Sequence, residues 1–212
     1  MSAFPAALAA ALLAAAPAAD APPADARSLA RRVQAFYETT RDLRGGFVQT
    51  YAYAAAGRKL VSRGTVAVKK PGRMRWDYES PSPKTISVVG SRLVQYEPEA
   101  NQAYVDDRFD ATAMSAAVTF LLGKGSLEAE FEPSLGEGGT LVLRPRKPDP
   151  RVDTVTLFVG PAGEVTRTRV TDGQGNVNDI AFQDLRRNSG LEDRDFEVRL
   201  PPDVHRVGVP GR

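Results

Sequence analysis

Cysteine is absent from this chain, which excludes disulfides, thiolate metal sites, thiol nucleophiles and lipidation of an N-terminal cysteine. Histidine occurs once, at His205 in a Pro-flanked tail, so a His-based catalytic or metal constellation cannot be assembled. No GxSxG elbow is present, and no pair of carboxylates stands apart from the many surface acids. The nearest phosphate-loop lookalike, Gly123-Lys124-Gly125-Ser126, lacks the upstream glycine and the Lys-Ser/Thr pair. Asp172-Gly173-Gln174-Gly175-Asn176 lacks the terminal carboxylate of a calcium loop and reads as a hairpin turn. A large charge of either sign is also missing: the net charge is +2 and the pI ≈ 9.0. No enzyme, cofactor or metal is expected.

What is present begins with MSAFPAALAAALLAAAPA, residues 1–18, which carry no charged side chain. The apolar run is too short and too alanine-rich for a membrane span. It has the form of a secretory signal peptide, with Ala16-Pro17-Ala18 as the small-x-small cleavage site. Residues 19–26, rich in Pro, Ala and Asp, read as a disordered linker. Export is the expectation. Asp25 then opens a helix whose apolar stripe is Leu29, Val33, Phe36, Tyr37 and Thr40, ended by Gly45-Gly46. The sheet that follows is the surface on which that stripe is expected to lie.

From Phe47 onward the chain is a series of short alternating strands. The central pair lies within Gly64 to Pro81, joined at Pro71-Gly72, where proline presets its dihedral and glycine accepts a positive one. Period two puts Val66, Val68 and Lys70 on one face of the first strand, and Met74, Trp76 and Tyr78 on one face of the second. Lys69, Arg73, Arg75 and Asp77 take the opposite face, which suits water. Further strands are expected over 47–53, 85–89, 93–97, 102–105, 140–144, 154–159, 165–171, 178–182 and 196–200. Another is expected where Leu127, Ala129 and Phe131 alternate with Glu128, Glu130 and Glu132. About eleven strands exceed what an open sheet carries without curling. The fold class is mainly β (α+β), as a barrel or sandwich.

Asp110 to Leu122 breaks the β pattern, with an aspartate fit for an N-cap, Met114, Val118, Leu121 and Leu122 at helical spacing, and Gly123 at the stop. The concave face of a curled sheet would receive such a helix.

In order and spacing the chain resembles the LolA family of periplasmic outer-membrane lipoprotein carriers. The matching residues are Phe47-x-Gln49, Ser62-x-Gly64, Lys70-Pro71, Met74-x-Trp76-x-Tyr78, Pro81, Ile86 to Gly90, Leu93, Tyr96, Pro98 and Gln102. Beyond them come Leu121-Leu122-x-Lys124-Gly125, Asp172-x-x-Gly175, Phe182, Asn188, Phe196 and Pro201. The resemblance implies one carrier-like domain over residues 27–212: an unclosed antiparallel β-barrel whose hydrophobic hollow is covered by an N-terminal helix and a helical lid. It further implies acylated lipoproteins as cargo, an inner-membrane ATP-driven release complex and an outer-membrane lipoprotein receptor as partners, and a monomer. Lysine stands at position 70, where the best-known members have an arginine that fastens the lid. Val89 and Val94 replace an aspartate and an aromatic.

The cavity residues implied are Phe36, Phe47, Val66, Val68, Met74, Trp76, Tyr78, Met114, Val118, Leu121 and Leu122. From pattern alone, Phe47, Trp76 and Tyr78 read as packed core ahead of ligand contacts, and the resemblance turns the reading toward cavity lining. Lys70 either latches the lid through its carbonyls or snorkels to the rim. The basic cluster Arg58, Lys59, Arg63, Lys69, Lys70, Arg73 and Arg75 is a solvated face or a docking site for an acidic partner or an anionic headgroup; export separates it from nucleic acid. A lipid-binding protein or an envelope-stress sensor of the same fold is the alternative function.

Overall fold

The computed structural model describes residues 25–110 and 126–208. Asp25 caps α1 (Ala26–Glu38) by accepting the Ser28 N–H at 2.7 Å, the bond expected of an aspartate at that position. Strands follow as β1 (Asp42–Tyr53), β2 (Arg58–Lys69), β3 (Arg73–Ser80), β4 (Lys84–Val89), β5 (Arg92–Glu97) and β6 (Gln102–Asp106). A single helical turn, α2 (Leu127–Glu130), leads into β7 (Phe131–Leu135), β8 (Leu141–Pro145), β9 (Thr154–Val159), β10 (Val165–Thr171), β11 (Val177–Arg187) and β12 (His205–Gly208). The twelve strands among the described residues belong to one sheet, in the order β12-β6-β5-β4-β3-β2-β1-β11-β10-β9-β8-β7. The pairs are antiparallel except β12 with β6, and β12 and β7 are the two unpaired ends. This is the unclosed antiparallel architecture expected.

Several expected elements differ. Helix α1 stops at Glu38, well before Gly45-Gly46, and both glycines lie inside β1. Gly45 is there for close approach: a Cβ would stand 2.6 Å from the Gln183 carbonyl oxygen, beside the irregularity in the β1–β11 register. The stripe of α1 does not lie on the strands that follow it. Leu29, Ala30, Val33 and Tyr37 pack with Leu127, Phe131, Leu141, Leu143, Val155 and Leu157 at the far end of the chain. Residues 127–130 form a helical turn rather than a strand, leaving Ala129 exposed while Leu127 and Phe131 are buried. The expected helix over 110–122, with Met114, Val118, Leu121 and Leu122, lies outside the described residues beyond Asp110.

The largest correction concerns the charged face of β2 and β3. Residues 196–200 form no strand; a 3₁₀ turn at Asp193–Phe196 sits there instead. Asp193 takes Lys69 Nζ at 2.6 Å and Arg73 at 2.7 Å. Arg75 donates to the carbonyls of Asp195 and Glu197, and Ser87 Oγ to that of Phe196. Phe196 is wholly buried. The strap is anchored upstream at the buried Asp42 carboxylate, which accepts Ser189 N–H, Ser189 Oγ and Gly190 N–H. Downstream it ends in β12. The face that suited water by composition is therefore covered by the chain's own C-terminal segment.

Candidate functional site

Alternation assigns the inner face of the sheet strand by strand, from Phe47 and Tyr51 on β1 to Ile180 and Phe182 on β11. Two clusters occupy that concave side. One is the α1 core just described. The other joins Phe47, Val66, Val68, Met74 and Val88, with Trp76, Tyr78, Ile180 and Phe182 packed against it. Phe47 meets the Trp76 ring edge-on at 4.7 Å and the Tyr78 ring at 5.1 Å, the offset geometry aromatic pairs favour.

A cavity of about 280 Å³ lies on this concave side. Its wall is mostly apolar: Trp76, Val155, Leu157, Val170, Ile180 and Phe182 are representative. Tyr51, Arg151, Asp172, Asn176 and Asn178 supply its polar groups. A concave apolar wall with a few placed polar groups is the ordinary form of a binding site for a small apolar ligand. Its size is near the lower end of such sites.

Of the residues assigned from sequence, Trp76 lines this cavity. Phe47, Val66, Val68 and Met74 are buried in the adjoining core, Tyr78 is packed against it, and Phe36 borders the α1 core. The wall supplied by β8–β11 is not among them. Its signal lies in the pairs Val155/Leu157 and Ile180/Phe182, each on one face of its strand by alternation; only the curl of the sheet brings them opposite Trp76.

Lys70 follows Val68 at the end of β2. Its Nζ donates to the carbonyl of Tyr37, and its backbone N–H to that of Arg41 at 2.8 Å. The ammonium thus meets the C-terminal end of α1, where a cation is favoured by the helix dipole. Burial pushes its pKa down, and Glu38 nearby pulls it back up. Burial also pushes the Tyr78 phenol up, and that of Tyr37 up to about 12.

On the outer face, burial pushes Asp179 upward, but bonds from Arg167 and Arg169 outweigh it and hold the carboxyl below its usual value. The hydrogen bond from the Asn176 side chain, with those from the Gln174, Gly175 and Asn176 backbone, holds Asp172 low. These bonds make residues 172–176 a closed turn. Among the described residues no His/Asp/Glu group is arranged to hold a metal ion, and no helix is long and apolar enough to cross a membrane.

The family model described as outer membrane lipoprotein carrier protein LolA matches residues 38–199. An outer-membrane lipoprotein carrier protein of Alkalilimnicola ehrlichii is 29% identical over 83% of this chain and 82% of its own length. One from Methylobacillus flagellatus is 28% identical over 83% and 87%. The crystal structure of an uncharacterized conserved protein from Thermus thermophilus superposes with a TM-score of 0.52 at 14% identity. It covers 87% of this chain and 99% of that one, a likeness of fold.

Proposed function

The chain belongs to the LolA family of outer membrane lipoprotein carrier proteins, and on that premise we propose that it binds the acyl chains of lipoproteins on its concave face and ferries them from the inner to the outer membrane. The observation that carries this reading is the apolar cavity between Trp76 and the β8–β11 wall. Burying an acyl chain is worth about 0.8 kcal/mol per CH₂, so a chain of about sixteen carbons holds its bilayer by about 12 kcal/mol. Such a molecule leaves the membrane at a useful rate only when a soluble protein offers a replacement apolar surface and another machine supplies work. An inner-membrane ATP-driven complex loads the carrier, and an outer-membrane lipoprotein receptor unloads it. The carrier acts as a monomer in the periplasm after its leader, residues 1–18, is removed.

The experiment is mass spectrometry of whatever copurifies with the protein from the periplasm of its own organism. Acylated polypeptides are the expected guests. Free lipids alone would replace the reading with a general lipid carrier, and an empty protein that also fails to take up acylated peptide would overturn both.

A further inference from the structure

The basic cluster of β2 and β3 is only partly used by the fold. Lys69, Arg73 and Arg75 hold the C-terminal strap, and Lys70 holds α1. Arg58, Lys59 and Arg63 remain. Arg58 lies over the Tyr53 ring at 5.1 Å. Among the described residues, Lys59 and Arg63 have no ion-pair partner.

These residues flank a free sheet edge. β2 pairs with β1 along its whole length, Arg58 opposite Tyr53 through Lys69 opposite Asp42. Its pairing with β3 begins only at Arg63, opposite Ser80, where β3 ends. Residues 58–62 therefore have no strand on their other side among the described residues. Every second residue of such an edge presents an unpaired N–H and C=O outward. Leu60 and Val61, on opposite faces, are 44% and 46% exposed. The edge also adjoins the cavity: Tyr51, a lining residue, sits directly opposite Leu60 in register, about 4.8 Å away as neighbouring strands are.

We propose that the edge at residues 58–62 receives, by strand addition, the extended acidic polypeptide segment that immediately follows the acylated end of the cargo. This rests on the acyl-binding reading above. A lipid-linked polypeptide cannot follow its acyl chains into an apolar cavity, because its backbone N–H and C=O groups would be left without partners. One strand away, the free edge supplies those partners in ladder geometry. Lys59 and Arg63 set the preferred charge of the guest, and Leu60 and Val61 offer apolar contact to its alternate side chains.

Hydrogen exchange of the full chain tests this with three probes: an N-palmitoylated decapeptide rich in Asp and Glu, the same peptide without its acyl group, and free palmitate. The palmitoylated peptide is expected to slow exchange at residues 58–62, whereas palmitate alone changes only the cavity, read by Trp76 fluorescence. Lys59→Glu with Arg63→Glu should weaken the palmitoylated peptide roughly tenfold at low salt and leave palmitate unaffected. Should palmitate and the palmitoylated peptide both alter Trp76 with no protection at residues 58–62, the edge merely carries charges that guard it from aggregation. The carrier reading would then survive without this inference. Should neither acyl probe bind, the carrier reading itself falls. Protection that rises with protein concentration alone, or that needs phosphatidylglycerol vesicles, would overturn the proposal in favour of a second copy or a membrane.

Discussion

Lys70→Leu removes a side-chain bond that ties the end of α1 to the β2–β3 turn. The native ammonium donates to the Tyr37 carbonyl. A bond to a charged group contributes about 1.5 to 3 kcal/mol, and because Lys70 is half-buried the lower figure applies. The helix-end dipole adds about 0.3 kcal/mol. Leucine beside Val68 and Leu43 recovers part of this through apolar burial, on the order of 0.5 kcal/mol. The expected net loss is about 1 kcal/mol, a fall of about 2–4 °C in Tm for a chain of this size. Local opening at the end of α1 should become about fivefold more frequent, read by hydrogen exchange at residues 37–41. Lys70→Arg keeps the charge and can hold a second carbonyl, so its Tm should match or exceed the native value.

The pH dependence has a defined sign. The folded-state pKa of Lys70 lies below the ordinary 10.5, so in the interval between them the unfolded chain binds more protons and native stability rises with pH. The leucine variant lacks that rise, and the gap between the two proteins should widen as pH approaches 10.5. Native, Leu and Arg proteins melting together at about pH 7, with equal exchange at residues 37–41, would refute the reasoning and leave Lys70 a rim charge.

Asp42→Ala removes the acceptor of three bonds that start the C-terminal strap; a loss of about 3 kcal/mol is expected, with exchange protection lost across residues 188–208. Gly64→Ala would place a Cβ 1.9 Å from the Asp77 carbonyl oxygen. Backbone must shift to admit it, so destabilisation of about 3 kcal/mol or more is expected in urea titration. Trp76 is the only tryptophan and lines the cavity, so a brominated fatty acid should quench its emission saturably; unchanged emission on a binding isotherm would place the acyl chain elsewhere. N-terminal sequencing of protein from the periplasm should begin near Ala19, and an intact Met1 in the cytosol would refute export.

The strands were legible because their signal is local. Alternation in Val66/Val68 and Met74/Trp76/Tyr78 says which side chains share a face, and Pro71-Gly72 says where the chain reverses, whatever surrounds them. Together with the ordered motifs, this was enough for the unclosed sheet and the family. What covers each face depends on residues far away in sequence, and no short window contains that information. The α1 stripe was plain, yet its partners Leu141, Leu143 and Val155 become neighbours only when the sheet curls around the helix. Lys69, Arg73 and Arg75 read as a wet face because their partners, Asp193 and the Asp195 and Glu197 carbonyls, lie more than a hundred residues on. Four residues at His205–Gly208 became a strand because β6 was left with an open edge. The cavity itself is the space between walls contributed by β3 and by β8–β11, and a gap between elements is a property of how they pack.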